Sequence, residues 1–444
     1  MPVNRLLVSM SLPMMLSMIV QALYNVVDSI FVSRLSEDAL TAVTLAFPVQ
    51  SLMIAFGSGL GVGINAMLSK GLGEKNRESV NNAVSHGMVI VAAAYVIFLC
   101  IGAFGSRLFM NSQTDIVNIA ADGASYLSIV CICSFGLFGQ FFFERLLQST
   151  GRTLYTMITQ CTGAVINIIL DPILIFGLFG APEMGVSGAA AATVTGQCAA
   201  AILALFFNLR KNPEITISLR GVRLKKSVFS RLLAVGIPSV IMQAISSVMN
   251  LGMNAILISF SSTAVAVFGI YFKLQSFVFM PVFGLNNGMV PIVAFNYGAQ
   301  KKDRLMKTIR LGVCYAVCIM TLGLIIAQIF PNALLGIFNA SDEMLNIGIS
   351  ALRIISIHFP IAGFCIILSS VFQALGNGVY SLVISFVRQI VALLPMAYVF
   401  SKIGGVTMLW WAFPAAELVS LCLCIFFFVR TNRRTLQHLS LCVE

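Results

Sequence analysis

Long apolar runs separated by short polar breaks dominate the chain, and no other feature constrains its fold as strongly. Each run can cross the hydrocarbon core of a bilayer, which needs about 20 helical residues. Of the 444 residues, 59% are hydrophobic and 10% are charged, whereas soluble domains carry about 25% charged residues. The runs lie near residues 8–33, 39–68, 83–104, 124–148, 154–179, 186–208, 232–259, 264–293, 308–330, 346–374, 380–400 and 407–429. We therefore predict an all-α integral membrane protein with 12 transmembrane helices.

The basic residues indicate an orientation for these helices. With the N-terminus in the cytoplasm, 20 Lys and Arg residues fall in cytoplasmic segments and three in outer loops. The positive-inside rule then places both termini of a multi-pass inner-membrane protein in the cytoplasm. This topology, together with contact to anionic lipid, accounts for the formal net charge of +11. The charge therefore gives no reason to expect nucleic acid as a partner.

The chain partly matches itself when it is shifted by 225 residues. The matched pairs include Pro13 with Pro238, Asn25 with Asn250, Gln50 with Gln275, Gly59 with Gly284, Gly63 with Gly288, and Gln148 with Gln373. Each half contains six spans, so both halves enter the membrane in the same sense and form parallel repeats. We predict an N-lobe at 1–208, a cytoplasmic linker at 209–231, and a C-lobe at 232–444 with a short cytoplasmic tail. Such repeats suit a transporter that rocks around a central cleft.

Two aspartates lie inside apolar runs of the first half, where a charge is costly and indicates function. Asp28 follows Tyr24 and Asn25 by about one helical turn, and Asp171 shares a helix face with Asn167. The proline after Asp171 has no N–H, so it frees one backbone carbonyl. These oxygens suit a proton or Na⁺, and two aspartates close together would need one such cation to relieve their repulsion. The alternative is that each aspartate only stabilises packing.

Two further pairs of charged residues lie in or near the spans. Glu417 and Arg388 fall in neighbouring spans of the second half. An ion pair that holds this half together is the simplest interpretation, and coupling or substrate contact is the alternative. Glu144 and Arg145 approach the cytoplasmic end of the fourth span, which indicates a gate or an interfacial charge.

The chain lacks the motifs of nucleotide-driven or catalytic proteins. It has no GxxxxGK[ST] loop, no DDxxD or HExxH motif, no Ser/His/Asp cluster and no Cys/His metal pattern. Glycines at positions 57, 59, 61 and 63 instead have the small-xxx-small spacing that lets helices pack closely. We therefore expect no enzyme and no cofactor, and an ion gradient as the energy source.

Six short motifs are spread along almost the whole chain. They are Leu12-Pro13, Tyr24-Asn25-Val26-Val27-Asp28, Gln148-Ser149-Thr150-Gly151, Asn167-x3-Asp171-Pro172, Gly185-Val186-Ser187-Gly188-Ala189-Ala190 and Trp410-Trp411-Ala412-Phe413-Pro414-x2-Glu417. Together they resemble the MATE family, the multidrug and toxic compound extrusion transporters, and its bacterial DinF/MepA-like branch. The resemblance implies a V-shaped pair of six-helix lobes and cation-coupled export of varied, often cationic compounds.

The resemblance also implies where the coupling cation binds. In the DinF-like branch the cation site lies in the N-lobe. Its side chains match Asp28, Asn167, Asp171 and Thr193 in this chain, and a backbone contact matches Ala189. These residues would hold H⁺ or Na⁺. The NorM-like branch uses acids in spans 7 and 10, but here span 7 offers only amide and hydroxyl groups and span 10 has no acid.

We predict an antiporter that uses H⁺ or Na⁺ to export drugs and other mostly cationic, lipophilic small molecules by alternating access, as a monomer in the bilayer. The residues expected to line or support its substrate cavity are Tyr24, Asn25, Gln50, Gln243, Asn250, Gln275, Arg388 and Glu417. The nearest alternative is a related flippase of a lipid-linked precursor, which would need a basic central cavity. An integral-membrane transferase is a remote alternative.

Overall fold

The computed structural model describes residues 1–218, 224–338 and 341–440, and the regular secondary structure within these ranges is helical. Ten helices are long and apolar enough to cross a membrane. Two further pairs of helices, each bent at a short break, raise this number to 12 if each pair is one span. The predicted all-α membrane fold is therefore confirmed.

We number the spans α1 to α12 in chain order. The first six are α1 Val3–Ser33, α2 Glu37–Gly73, α3 Arg77–Gln113, α4 Val117–Ile132 with Phe135–Ser149, α5 Thr153–Phe176 and α6 Val186–Lys211. The second six are α7 Lys226–Leu257, α8 Ser262–Gly298, α9 Lys302–Ile329, α10 Asp342–Ser356 with Phe359–Ala374, α11 Gly378–Leu409 and α12 Ala412–Leu436. A short helix, Pro331–Gly336, lies between α9 and α10.

The helix bounds repeat with the offset found in the sequence. α2 and α8 both have 37 residues, and each end of α8 lies 225 residues after the same end of α2. The hydroxyls of Ser36 and Ser261 cap these two helices by accepting hydrogen bonds from the N–H groups of Ala39 and Ala264. α4 and α10 bend at equivalent breaks, by 42° and 49°. One six-helix pattern is thus used twice.

The chain forms two compact units. The N-unit contains Leu16–Val240, and the C-unit contains Met1–Met15 together with Ile241–Glu444. The first part of α1 therefore belongs to the C-unit, and the first part of α7 belongs to the N-unit. The predicted lobes did not include this exchange, and their boundaries stay a prediction. The predicted linker lies partly outside the described residues.

Glycines on α2 and α8 explain how each unit accommodates a helix start from the other repeat. In the N-unit, a Cβ on Gly59 would lie 2.7 Å from the backbone nitrogen of Val240. In the C-unit, a Cβ on Gly284 would lie 2.5 Å from the Cα of Met15. Both partners in the second contact obey the 225-residue offset. Since no larger residue permits such backbone contacts, the predicted close packing at these glycines is confirmed.

Candidate functional site

Glycines bring α5 and α6 together at their backbones. A Cβ on Gly196 would lie 2.5 Å from the carbonyl oxygen of Gly163, and a Cβ on Gly188 would lie 2.4 Å from another carbonyl oxygen of α5. Side chains cannot fit between backbones at these distances. The contact therefore holds the buried face of α5, which includes Asn167 and Asp171, directly against α6.

Asn167, Asp171 and Thr193 form a hydrogen-bonded group between these two helices, and none of them is more than 3% exposed. The network is satisfied best when the Asn167 amide nitrogen donates to Asp171 Oδ2 at 3.0 Å. The amide oxygen then accepts hydrogen bonds from the Thr193 N–H at 2.9 Å and from its hydroxyl at 3.2 Å. The structure therefore places Asn167 and Asp171 on one face, as their spacing predicts.

α1 contributes a second carboxyl group to this cluster. The side chains of Asp28 and Asp171 hydrogen-bond to each other, and Tyr24 hydrogen-bonds to Thr193. Two carboxyl groups can share a hydrogen bond only when a proton lies between them, because an ionised carboxylate only accepts. The Oδ1 atoms of both aspartates are buried and have no hydrogen-bond partner among the described residues. The pair therefore has unused capacity for a proton or a cation.

Tyr126 of α4 belongs to the same cluster, although the sequence analysis did not identify it. Its side chain is buried, and its hydroxyl donates to Oε1 of Gln50 at 3.3 Å. It lies close enough to Asp28, Asp171 and Tyr24 to interact with them electrostatically. Gln50, which was predicted as a cavity residue, thus joins the cluster through Tyr126. The available signal was a tyrosine inside an apolar run, since its hydroxyl needs a partner when buried.

The other predicted residues have different surroundings. Ala189 is buried on α6, and its backbone contact with a cation stays a prediction. Asn25 is exposed on α1. Gln243, Asn250 and Gln275 belong to the C-unit, so they are not members of the cluster around the two aspartates. Their role in a substrate cavity also stays a prediction.

The C-unit contains a buried ion pair that joins α11 to α12. Arg388 Nη1 lies 3.3 Å from Glu417 Oε2, and the two side chains are 29% and 4% exposed. Tyr271 and His358 are buried close enough to interact with both charges, and Trp410 is fully buried in the same core. The pair that the sequence suggested is therefore present, and its charges balance within the unit.

Glu144 and Arg145 differ from the expected gate or interfacial charges, because both are buried in the N-unit. The Glu144 carboxylate accepts hydrogen bonds from Gln140 and Thr159 at 3.0 Å and from Gln160 at 2.7 Å. α5 therefore covers this part of α4, which the sequence alone did not indicate.

The cluster around Asp28 and Asp171 suits a monovalent cation. Two carboxyl groups, an amide and a hydroxyl supply hard oxygen atoms, whereas soft or multivalent metal ions require larger sets of ligands. Among the described residues, no group of three or more His, Cys, Asp or Glu side chains could hold a metal ion.

A duplicated bundle of up to 12 membrane-spanning helices with buried acidic residues defines the class of multi-pass membrane transporters. The MatE family model matches residues 13–173 and 238–399, once in each repeat. The chain therefore belongs to the MatE family, the multidrug and toxic compound extrusion transporters. A transporter of this family moves small-molecule substrates and is not an enzyme, which confirms those two expectations.

Individual relatives match over nearly their full length. The chain is 24% identical over 438 residues to multidrug export protein MepA of Staphylococcus aureus (strain MRSA252), which covers 95% of this chain and 92% of that one. It is 29% identical over 425 residues to probable multidrug resistance protein YoeA of Bacillus subtilis (strain 168), which covers 94% and 92%. A crystal structure of a MATE protein in complex with MaL6 matches with a TM-score of 0.91 at 24% identity, covering 99% of this chain and 98% of that one. This structural likeness shows the fold.

Proposed function

We propose that the chain is a cation-coupled antiporter that exports drugs and other lipophilic, mostly cationic small molecules by alternating access. The names of the two relatives, a multidrug export protein and a probable multidrug resistance protein, support this substrate class. The observation that carries the coupling role is the contact between the Asp28 and Asp171 carboxyl groups inside spanning helices. Such a contact in low dielectric depends on a bound proton or cation.

Loss of that cation supplies the force for a conformational change. Two unit charges about 4 Å apart repel by about 4 kcal/mol at an effective dielectric constant of about 20. Emptying the site therefore pushes Asp28 on α1 away from Asp171 on α5. Coupling to export requires only that the cation and the drug favour different states of the transporter.

The observed arrangement suits a proton better than Na⁺. The Asn167 amide directs its nitrogen at Asp171, while its oxygen accepts hydrogen bonds from Thr193. A Na⁺ ion would need that amide oxygen turned toward the carboxylates. We therefore propose H⁺ as the coupling ion and Na⁺ as the alternative that the experiment separates from it.

Efflux of ethidium from liposomes, driven separately by a pH gradient and by a Na⁺ gradient, tests the proposal. Asp28→Asn and Asp171→Asn should each reduce proton-driven efflux to the level of protein-free liposomes, because an amide cannot take up and release a proton. The unfolding temperature should be retained.

Glu78→Gln is the matched control, since Glu78 is an exposed acid of the same unit that pairs with Lys225. It should leave efflux unchanged. Normal efflux by both aspartate variants would contradict the coupling role, and efflux driven only by Na⁺ would replace the proton.

We also propose that the transporter works as a monomer in the inner membrane with both termini in the cytoplasm. The unequal distribution of Lys and Arg between the two sets of loops supports this orientation.

A further inference from the structure

The N-unit contains a second buried carboxyl group that the proposed coupling site does not use. We propose that Glu144 is a protonation site separate from Asp28 and Asp171, and that it relays protons between this pair and water at the α4–α5 loop. The relay role rests on the proposed coupling function, whereas the protonation of Glu144 does not.

The hydrogen bonds to Glu144 come from neutral groups on two helices. Its Oε1 accepts from Gln140 Nε2 and from the Thr159 hydroxyl, both at 3.0 Å, and its Oε2 accepts from Gln160 Nε2 at 2.7 Å. The side chain is only 2% exposed. An ionisable residue at such a position within a spanning helix is a functional candidate by default. The neutral partners leave it able to gain and lose a proton.

Arg145 is the charged group that faces Glu144. It follows Glu144 directly on α4, and its Nη1 donates to Oε1 of Gln148 at 2.7 Å. α2 presents Gly61 to the Arg145 side chain, and α6 presents the neutral Asn208, whose amide donates to a backbone carbonyl of α4. α3 packs on another side of α4, through Gly87. The charge of Glu144 is therefore moderated by Arg145.

The ligand class of this site is the proton. Both carboxylate oxygens are approached by N–H or O–H donors, which stabilise an anion. A metal cation would instead require additional oxygen atoms directed at it. The Glu144 site therefore differs from the aspartate pair, where two acceptors meet.

A buried face of α5 connects the two sites. It carries, in order, Thr156, Thr159, Gly163, Asn167 and Asp171, at spacings of three and four residues. The 12 residues from Thr159 to Asp171 span about 18 Å of helix. Glu144 lies five residues before the end of α4, or about 8 Å from the α4–α5 loop. It is thus the carboxyl group through which protons from Asp171 would approach that loop.

Unused hydrogen-bonding groups and a glycine contact indicate how the path opens. The Thr156 hydroxyl and Oε1 of Gln160 are buried without partners among the described residues, and waters would satisfy them. Between the two sites, the contact of Gly163 with Gly196 closes the polar face. Proton passage therefore requires α5 and α6 to separate at these glycines.

The proton balance of the relay is simple. The protonated Asp171 gives its proton to water and becomes a carboxylate, and the resulting hydronium gives a proton to the Glu144 carboxylate. Glu144 then releases the proton to water at the α4–α5 loop and returns to its ionised form. No other reactant is consumed.

Infrared difference spectra recorded across a pH change test the protonation of Glu144 directly. In the double variant Asp28→Asn/Asp171→Asn, a carbonyl band of a buried protonated carboxyl group should still appear, and adding Glu144→Gln should remove it. Glu144→Asp should retain a titrating band. If Glu144→Gln does not fold, Gln160→Leu, which removes one donor, should change the pH at which the band appears. An unchanged spectrum with the substituted proteins would overturn the proposal.

Efflux measurements test the relay itself. Glu144→Gln should slow proton-driven ethidium efflux by about tenfold, since a positioned proton carrier is lost. Ethidium affinity should be unchanged, and Glu144→Asp should restore most of the rate. Normal efflux by Glu144→Gln would overturn the relay even if the aspartate variants fail. Conversely, normal efflux by the aspartate variants would contradict the coupling function while the infrared result still stands.

Discussion

The N-unit and the C-unit are built on one helical pattern but bury different polar groups. At the 225-residue offset, Asp28 corresponds to Met253, and Asp171 corresponds to Met396. The glycines, the Ser caps and the bends of α4 and α10 recur, whereas the carboxyl groups of the proposed coupling site do not. Backbone contacts at glycines tolerate no side chain, but a buried polar group can give way to an apolar one of similar size. The duplication therefore preserved the packing and left the chemistry free to diverge.

The same comparison explains the ion pair of the C-unit. Arg388 corresponds to Gly163, and Leu421 corresponds to Gly196. Where α5 and α6 touch through two glycines, α11 therefore carries a long basic side chain that pairs with Glu417. An acid with a fixed partner exchanges its proton poorly, whereas the aspartate pair of the N-unit depends on an exchangeable one. The N-unit is thus expected to contain the titrating groups.

The largest expected effect separates the acids of the two units. Asp171→Asn should abolish proton-driven efflux, whereas Glu417→Gln should retain most of it. Glu417→Gln should instead lower the free energy of unfolding by about 2 kcal/mol, because it leaves Arg388 without its carboxylate. The cost is below that of a fully buried pair since the Arg388 side chain is 29% exposed.

Initial efflux rates and thermal unfolding in detergent measure the two effects. The double variant Arg388→Met/Glu417→Gln should recover part of the lost stability. Complete loss of efflux with Glu417→Gln at unchanged stability would break the comparison, because the C-unit would then also take part in coupling.

A smaller effect is expected at the α5–α6 contact. Gly196→Ala would place a Cβ 2.5 Å from the Gly163 carbonyl oxygen. The backbones would have to separate, at a cost of about 1–3 kcal/mol in unfolding free energy. Efflux should fall as well, because Asn167 and Thr193 would no longer meet.

Gly269→Ala in the C-unit is the matched control. A Cβ there meets nothing within 4 Å, so alanine should stabilise α8 by about 0.5–1 kcal/mol. Equal unfolding temperatures for the two alanine variants would show that the close contact does not determine the stability of the N-unit.

The smallest effect concerns the tyrosine that sequence analysis missed. Tyr126→Phe removes one hydroxyl beside Asp28 and its hydrogen bond to Gln50, while the ring still fills the core. The loss of about 1 kcal/mol should reduce proton-driven efflux by about fivefold. Tyr398→Phe, at an exposed tyrosine of the C-unit, should have no effect. If both variants transport normally over the whole pH range, Tyr126 only fills space.

Some parts of the site could be predicted from the sequence and others could not. Asn167 and Asp171 are four residues apart on one helix, so local geometry placed them together. Thr193 and Ala189 were identified only through family resemblance. Tyr126 and the burial of Glu144 depend on how α4 packs, which no local pattern reveals.

The sequence by itself determined the membrane-spanning class, the number of spans, the duplication and the positions of the costly intramembrane acids. Each of these follows from short-range properties, namely apolar run length, residue spacing and the cost of charge in hydrocarbon. Only the tertiary structure decided that Asp28 meets Asp171, that Arg388 pairs with Glu417, and that neutral donors surround Glu144. These contacts join helices far apart in the chain, and their partners are set by the packing of whole helices at the glycines.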